Sequence, residues 1–119
     1  MGKVLINNTN GKENLERATL SFVVANAALS SDQEAIILLT IDGAWVATKG
    51  YSEGLQAEGF APLTELVAKF VAGGGSLWVC GACAKPRGIT AEHLVEGAQL
   101  VGAAKAVEEM VNGAQTLSF

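Results

Sequence analysis

The stretch AIILLT, residues 35–40, is apolar at every position before Thr40. A strand with one face in water alternates apolar and polar residues, whereas a strand that is covered on both faces is apolar throughout. The stretch therefore predicts an inner strand of a parallel sheet with layers on both sides. Asp42 and Gly43 follow almost directly, and this turn-forming pair ends the strand.

Short apolar runs on either side of this strand complete the sheet. They predict strands over residues 4–7, 76–80, 99–101 and 116–119. Helical spacing and capping residues predict helices over 14–29, 44–50, 62–71, 90–95 and 103–111, with a loop over 51–61. Alternating strands and helices are typical of an α/β fold. We therefore predict one domain over residues 1–119, a three-layer α/β/α sandwich of flavodoxin-like size around a five-stranded, mainly parallel sheet.

The composition excludes several classes of protein. The chain has 119 residues, a net charge of −4 and no cluster of Lys and Arg, so neither a nucleic-acid partner nor an anionic membrane surface is expected. No apolar run approaches the roughly 18 residues of a membrane span, and the first strand begins too early for a signal peptide. We therefore expect a cytoplasmic protein whose two cysteines remain thiols in a reducing compartment.

The carboxyl ends of the predicted strands bring four segments to one edge of the sheet, where open parallel sheets bind ligands. These segments are residues 8–11, 42–43, 80–88 and 102. Asn8, Asn10 and Asp42 are therefore candidate residues of a cleft at this edge. For Asp42 we favour a role as N-cap of the helix over 44–50; the alternative is that it orients a backbone amide or a cation such as Arg87.

The sequence WVCGACAKPRG, residues 78–88, contains both cysteines directly after the third predicted strand. At that place the Cys80 sulfur faces the sheet edge, and the amides from Gly81 to Ala84 are candidates for an anion-binding nest around it. Lys85 and Arg87 add positive charge, although for Arg87 we favour an anchoring role through backbone carbonyls or a neighbouring carboxylate. The alternative is that Cys80 is a small buried apolar residue, as free cysteines often are.

A thioredoxin-like site fits this loop less well than its C-x-x-C pattern suggests. Trp78 is not adjacent to Cys80, and the motif follows the third strand instead of an early one. Pro86 and Gly88 also predict an irregular loop where thioredoxin has a helix.

Metal and nucleotide sites are not expected either. A structural zinc site built on Cys80, Cys83 and His93 needs a fourth ligand that nothing in the sequence indicates, so no metal is predicted. The sequence contains neither G-x-G-x-x-G nor G-x-x-x-x-G-K-[ST], so no organic cofactor is predicted.

Longer segments of the chain form a distinctive series. They include KVLINNTNG (residues 3–11), IILLTIDGAWVATKGY (36–51), FAPLTELVAKFVAGGGSLWVCGACAKPRGI (60–89) and LVEGAQLVGAAKAVEEMV (94–111). The most specific piece is C-G-x-C-x-x-x-R-G-I, from Cys80 to Ile89. Over nearly its whole length the chain resembles the DsrE/DsrF-like sulfur-relay family, which includes the YchN-type small proteins.

The resemblance implies a five-stranded α/β/α fold that assembles into homotrimers or homohexamers. It also implies that Cys80 carries sulfur as a persulfide between a sulfur-donor and a sulfur-acceptor protein, while Cys83 either resolves that persulfide or only packs. In that role the chain acts as a sulfurtransferase within a relay and not as an independent turnover enzyme. The residues that would support the sulfur anion are Gly81, Ala82, Lys85, Arg87 and Gly88.

Two other functions stay open at this point. The first alternative is a non-catalytic oligomeric binding or scaffold protein with structural cysteines. The second is a C-x-x-C redox switch with a reversible Cys80–Cys83 disulfide. Thiols that do not react in the native protein would favour the scaffold. Trp45, Tyr51 and Phe60 form either an oligomer surface or a local hydrophobic plug under the loop over 51–61.

Overall fold

Five strands form one sheet in which every pair of neighbouring strands is parallel. The computed structural model describes residues 2–119, and its strands are β1 (Lys3–Asn8), β2 (Glu34–Leu39), β3 (Ser76–Cys80), β4 (Ala98–Val101) and β5 (Gln115–Ser118). Their order across the sheet is β4-β3-β2-β1-β5. The apolar stretch at the centre of the prediction therefore supplies the middle strand, with Ile36 in one layer of the core and Ile37 in the other.

Helices connect the strands on both faces of the sheet. They are α1 (Leu15–Ser30), α2 (Leu63–Ala72), α3 (Gly81–Ala84) and α4 (Ala103–Val111), with 3₁₀ segments at Lys12–Asn14, Ile41–Ala47, Lys85–Arg87 and Ala91–His93. Asn14 starts α1, because its side-chain oxygen accepts a hydrogen bond from the Arg17 backbone N–H at 3.3 Å. Within residues 2–119, no helix combines the length and the apolar character that crossing a membrane requires.

The two faces of the sheet are covered unequally. On one face α1 and α2 pack over the larger apolar cluster, where the Phe22 and Phe70 rings meet edge to face with centroids 6.0 Å apart. On the other face α4 covers a smaller cluster that contains Trp78, and Lys105 places its Nζ 5.2 Å from the centre of that ring. These layers confirm the predicted three-layer α/β/α fold.

The segment after β2 differs from the prediction. The helix expected over 44–50 is a 3₁₀ segment that begins at Ile41, because the Gly43 N–H bonds to the Thr40 carbonyl at 2.9 Å and closes a tighter turn. Thr40 is therefore the N-cap, and the capping role favoured for Asp42 is wrong. Asp42 lies inside the segment, which leaves its carboxylate to bond elsewhere.

The segment after Cys80 also differs from the prediction, because it is helical and not an irregular loop. It continues from α3 directly into a 3₁₀ turn, in which Pro86 occupies the first turn, where a missing N–H costs no hydrogen bond. Gly88 then ends the turn in the left-handed region, with φ of 68°. Pro86 and Gly88, which predict an irregular loop, instead lie at the start and the end of a short 3₁₀ turn.

Two helix starts also differ slightly from the prediction. Pro62 is the N-cap of α2 instead of its first helical residue, since its ψ of 141° is extended. The helix expected over 90–95 is shortened to a single 3₁₀ turn closed by Thr90 and His93. It stops there because the Val95 N–H donates to the Ala47 carbonyl at 2.8 Å and draws the chain away.

Candidate functional site

The parallel strands bring Cys80 to the predicted edge of the sheet. Cys80 is the last residue of β3, opposite Val101 of β4, and it is also the N-cap of α3. Alternation along β3 puts Cys80 on the same face as Trp78, which is the face that α4 only partly covers. The Cys80 thiol is free and half-buried, so it is neither sealed in the core nor fully in water.

The two cysteines form a thiol pair at the start of α3. They are three residues apart, a spacing that places side chains on the same side of a helical turn. Cys83 is itself free and half-buried, and Cys80 lies near enough to it to raise the pKa of its thiol. Cys83 also packs against the larger apolar cluster under α1 and α2. Cys83 therefore lies at the boundary of the core, and Cys80 lies at the edge of the sheet.

The surroundings of Cys83 keep it protonated. Burial raises the pKa of the Cys83 thiol above its ordinary value of 9.0, and the neighbouring Cys80 adds to the rise. The nearby Ile41 backbone amide and the charge of Arg87 lower the pKa of this thiol, but they do not cancel the rise. At neutral pH Cys83 is thus a thiol, which keeps its proton and can donate a hydrogen bond to a neighbouring anion.

We expect iodoacetamide to alkylate Cys83 slowly at neutral pH, with the half-maximal rate above pH 9.0, because only the thiolate reacts and the raised pKa suppresses it. Peptide mass spectrometry of samples quenched along a pH series measures this rate at Cys83 separately from the rate at Cys80. Replacing Arg87 with methionine removes a cation that lowers the pKa, so the midpoint should move further up. A midpoint at or below 9.0 in the native protein would contradict this account.

Arg87 joins the cysteine segment to the segment after β2. Its Nε and Nη2 donate to Oδ1 of Asp42 at 3.1 and 2.9 Å, and its Nη1 donates to the Cys83 carbonyl at 3.1 Å. A carboxylate and a backbone carbonyl are the two kinds of partner that the sequence favours for this arginine. Because Asp42 and Arg87 are 45 residues apart in the chain, the pair fixes the two segments against each other.

The other candidate cleft residues shape the backbone at this edge. Asn8 is fully buried; its Nδ2 donates to the Asn10 carbonyl at 3.0 Å and its Oδ1 accepts from the Asn10 N–H at 2.9 Å. This side chain therefore closes the turn after β1. Gly43 packs directly against the Asn8 backbone, and a Cβ at Gly43 would overlap the Asn8 carbonyl oxygen.

The amides at the start of α3 do not bond to the Cys80 sulfur. Cys80 has the N-cap position, but its side chain makes no capping hydrogen bond to the first turn. Gly81 approaches β4 closely, since a Cβ added to it would lie 3.3 Å from the Val101 carbonyl oxygen, while Ala82 and Lys85 are exposed. The nest around Cys80 therefore stays a prediction, and the ionisable group that interacts with Cys80 is the Cys83 thiol.

His93, the third residue considered for zinc, bonds within its own turn. The His93 ring is used locally, because its Nδ1 accepts from the Thr90 N–H at 3.0 Å. Over residues 2–119 no group of three or more His, Cys, Asp or Glu side chains is arranged to hold a metal ion.

An aromatic cleft adjoins the site on the Asp42 side. Its volume is about 450 Å³, and its lining residues are Lys12, Glu13, Asp42, Trp45 and Tyr51. Trp45 and Tyr51 stack with centroids 6.2 Å apart, and the Tyr51 hydroxyl accepts from the Lys12 N–H at 2.8 Å. These contacts support local packing of the two rings, and an oligomer surface there stays a prediction.

Sequence reasoning missed Ile41. Its backbone amide lowers the pKa of the Cys83 thiol, and its φ of 53° lies in the left-handed region. Isoleucine is among the residues least expected there. Nothing local in the sequence therefore indicates this interaction.

Comparison of the sequence with protein-family models identifies the family of this chain. A model of the DsrE/DsrF-like family matches residues 2–119. The chain is 35% identical over 101 residues to the uncharacterized protein MJ0760 of Methanocaldococcus jannaschii, a match over 85% of this chain and 37% of that protein. The chain thus spans little more than a third of that relative's length.

Solved structures share the fold at low identity. The ychN protein from E. coli superposes with a TM-score of 0.74 at 15% identity, over 100% of both chains. MTH1491, a protein of unknown function from Methanobacterium thermoautotrophicum, gives 0.77 at 12% identity, again over 100% of both chains. At these identities the likeness concerns the fold alone.

Proposed function

The chain belongs to the DsrE/DsrF-like family, and from that premise we propose that it accepts and passes on sulfur as a persulfide on Cys80. The observation that carries the proposal is the position of Cys80 at the carboxyl end of β3, where its thiol is free and half-buried and Cys83 follows three residues later in α3. Open parallel sheets bind their ligands at that end of the strands. A sulfur carrier needs a sulfur that a partner can reach and a donor that stabilises its anion.

The chemistry is thiol exchange, and no metal or organic cofactor enters it. The Cys80 thiolate attacks the terminal sulfur of a donor persulfide, R–S–SH. A new S–S bond forms at Cys80, the S–S bond of the donor breaks, and the donor leaves as the thiolate R–S⁻. An acceptor thiolate then takes the terminal sulfur and releases Cys80 as a thiolate. Cys83, held as a thiol, donates its hydrogen bond to the anionic forms of Cys80 in both steps.

Partners and assembly follow from the same proposal. The donor and the acceptor are proteins or small molecules with a reactive sulfur, and each must reach the rim of the sheet beside Cys80. Assembly into homotrimers or homohexamers in the cytoplasm, with the chain acting as a sulfurtransferase component, belongs to the proposal as well. Size-exclusion chromatography with light scattering measures the number of chains.

The experiment that tests the proposal is sulfur loading. The protein is incubated with a persulfide donor, and mass spectrometry locates any gain of one sulfur atom. The gain should fall on the peptide that contains Cys80 and disappear after an acceptor thiol is added. A native protein that gains no sulfur on Cys80 contradicts the proposal.

The thiol pair favours a second candidate function, a redox switch. Two free thiols three residues apart at the start of α3 can form a disulfide, in which both sulfurs lose a proton and an electron to an oxidant such as a small-molecule disulfide. We expect mild oxidation to remove two hydrogens from the wild-type chain and none from a chain with Cys83→Ser. If the wild-type chain instead forms only mixed adducts or dimers, the switch is excluded.

A further inference from the structure

An apolar groove that contains neither cysteine is lined by α2, by residues within 46–53 and by the residues just before β4. Its volume is about 540 Å³, which is within the range of clefts that hold small molecules. Val46 and Val67 are buried side chains of its lining, whereas Ala68 and Ala72 lie on the exposed side of α2. The groove can therefore take an apolar body of moderate size from the solvent.

The two buried hydroxyl groups of this groove can only accept further hydrogen bonds. Thr48 and Ser52, which line the groove, are 9% and 6% exposed. Thr48 Oγ1 donates to the Trp45 carbonyl at 2.6 Å, and Ser52 Oγ donates to the Val46 carbonyl at 3.2 Å. A hydroxyl has one proton to donate and two lone pairs that accept. Since both protons are already bonded, a ligand meets only the lone pairs of these side chains.

The charged residues of the groove are acidic. Glu53 and Glu96 line it, and an ionised carboxylate only accepts hydrogen bonds. Among residues 2–119, no lysine, arginine or histidine belongs to the lining. Lys49, which adjoins Thr48 in the chain, bonds elsewhere, because its Nζ donates to the Glu92 carbonyl at 3.0 Å. A cation in the groove therefore finds two carboxylates, whereas an anion finds no opposite charge.

We propose that this groove binds a small protonated amine with an apolar body, such as an alkylamine or an arylalkylamine. The aliphatic side chains take the apolar body. The ammonium group has three donors and no acceptor, which matches a lining of carboxylates and of hydroxyl oxygens whose protons are already bonded. The binding involves no covalent step, and it does not depend on the sulfur chemistry proposed for Cys80.

A second copy of the chain fits the groove less well than an amine does. The exposed apolar residues of α4 that could enter it are Val107, Met110 and Val111. The exposed Glu108 lies among them, and its carboxylate would approach the two that line the groove. Like charges brought together across an interface oppose binding. Lys105 of the same helix does not offset this repulsion, because its Nζ lies over the Trp78 ring.

Three compounds that share a phenyl body test the proposal. Phenylethylamine, phenylethanol and phenylpropionate are titrated separately into the ¹⁵N-labelled protein at neutral pH, and amide chemical shifts report binding. We expect the amine to shift the groove residues saturably and the alcohol to bind roughly tenfold more weakly, because it lacks the charged hydrogen bonds. The acid should give no saturable shift. Equal affinity for the amine and the alcohol, no binding of the amine, or amine shifts confined to other residues overturns the proposal.

Substitutions at the groove separate the amine site from the sulfur chemistry. Glu53→Gln and Glu96→Gln keep the size of each side chain and remove its charge, so each should weaken amine binding by roughly threefold. Glu65→Gln is the matched control, since Glu65 is an exposed residue of α2 outside the lining. All three variants should load sulfur on Cys80 as the wild type does. A wild-type chain that binds the amine but takes no sulfur contradicts the proposed function and supports the amine site.

A blocking substitution distinguishes a ligand groove from an interface between copies. Ala68→Phe places a ring in the groove from the exposed side of α2, so it should abolish the amine shifts and leave the number of chains unchanged. Light scattering measures the number of chains, and denaturant unfolding shows that the variant is folded. Amine binding that survives Ala68→Phe overturns the proposal. A change in the number of chains assigns the groove to a second copy and overturns it as well.

Discussion

Replacing Cys80 with serine is expected to abolish sulfur loading, whereas replacing Cys83 with alanine only slows it. Cys80 provides the sulfur that forms the new S–S bond, and a hydroxyl cannot substitute for it. Cys83 provides a hydrogen bond to the anion on Cys80, and such bonds contribute about 1.5–3 kcal/mol. Loss of that bond corresponds to a rate lower by roughly 10- to 150-fold. Mass spectrometry after timed exposure to a persulfide donor measures both variants.

Cys83→Ser is the conservative control for this pair. Its hydroxyl can still donate to Cys80, so it should load sulfur faster than Cys83→Ala. Equal rates in these two variants would mean that the hydrogen bond does not matter. Complete loss of loading in both, with Cys80 intact and the protein folded, would assign an essential covalent role to Cys83 and favour the redox switch.

The sheet could be predicted because its signals are local. The inner strand β2 is apolar from Ala35 to Leu39, and β3 matches the predicted bounds, 76–80. Helix α4 also matches, at 103–111, because Gly102 before it and the Asn112–Gly113 pair after it limit the helix on both sides. In these elements burial, capping and turn formation all act within a few residues of the chain.

The segment over 41–47 could not be predicted because tertiary contacts determine it. Its start depends on the Asn8 carbonyl, which lies on the neighbouring strand, and on the close approach of Gly43 to the same residue. An Asp just before a predicted helix is a familiar capping pattern, whereas the bond of Asp42 to Arg87 spans 45 residues and leaves no local sign. The local pattern therefore favoured the wrong role for Asp42.

The candidate site divides in the same way. Cys80, Cys83 and Arg87 lie in one motif, so sequence alone could group them and place them at the sheet edge. The Ile41 amide belongs to the backbone, and its aim depends on a φ that isoleucine seldom adopts. A backbone amide placed by an unfavourable residue type has no signature in the sequence, although it lowers the pKa of the Cys83 thiol.

Replacing Gly43 with serine is expected to cause the largest loss of stability at this edge. A Cβ at position 43 would overlap the Asn8 carbonyl oxygen and lie 3.0 Å from the Asn8 carbonyl carbon. These are backbone atoms of β1, which bonds to β2 and β5 on either side and cannot yield as a side chain can. Overpacking of a close contact costs about 1–3 kcal/mol, and the upper part of that range applies where only backbone can move. Denaturant unfolding measures the loss.

Gly102→Ser is the matched control, since Gly102 lies at the same edge, its φ is −87° and a Cβ there meets nothing within 4 Å. Gly102 is also the N-cap of α4, a position that serine favours, so this variant should be as stable as the wild type or slightly more so. Gly43→Ser should additionally slow sulfur loading of Cys80, because moving the 41–47 segment withdraws the Ile41 amide and the Asp42 carboxylate together. A Gly43→Ser protein with wild-type stability would show that the contact with Asn8 is not tight. One that is destabilised but loads sulfur at the wild-type rate would show that the cysteine pair does not depend on the segment after β2.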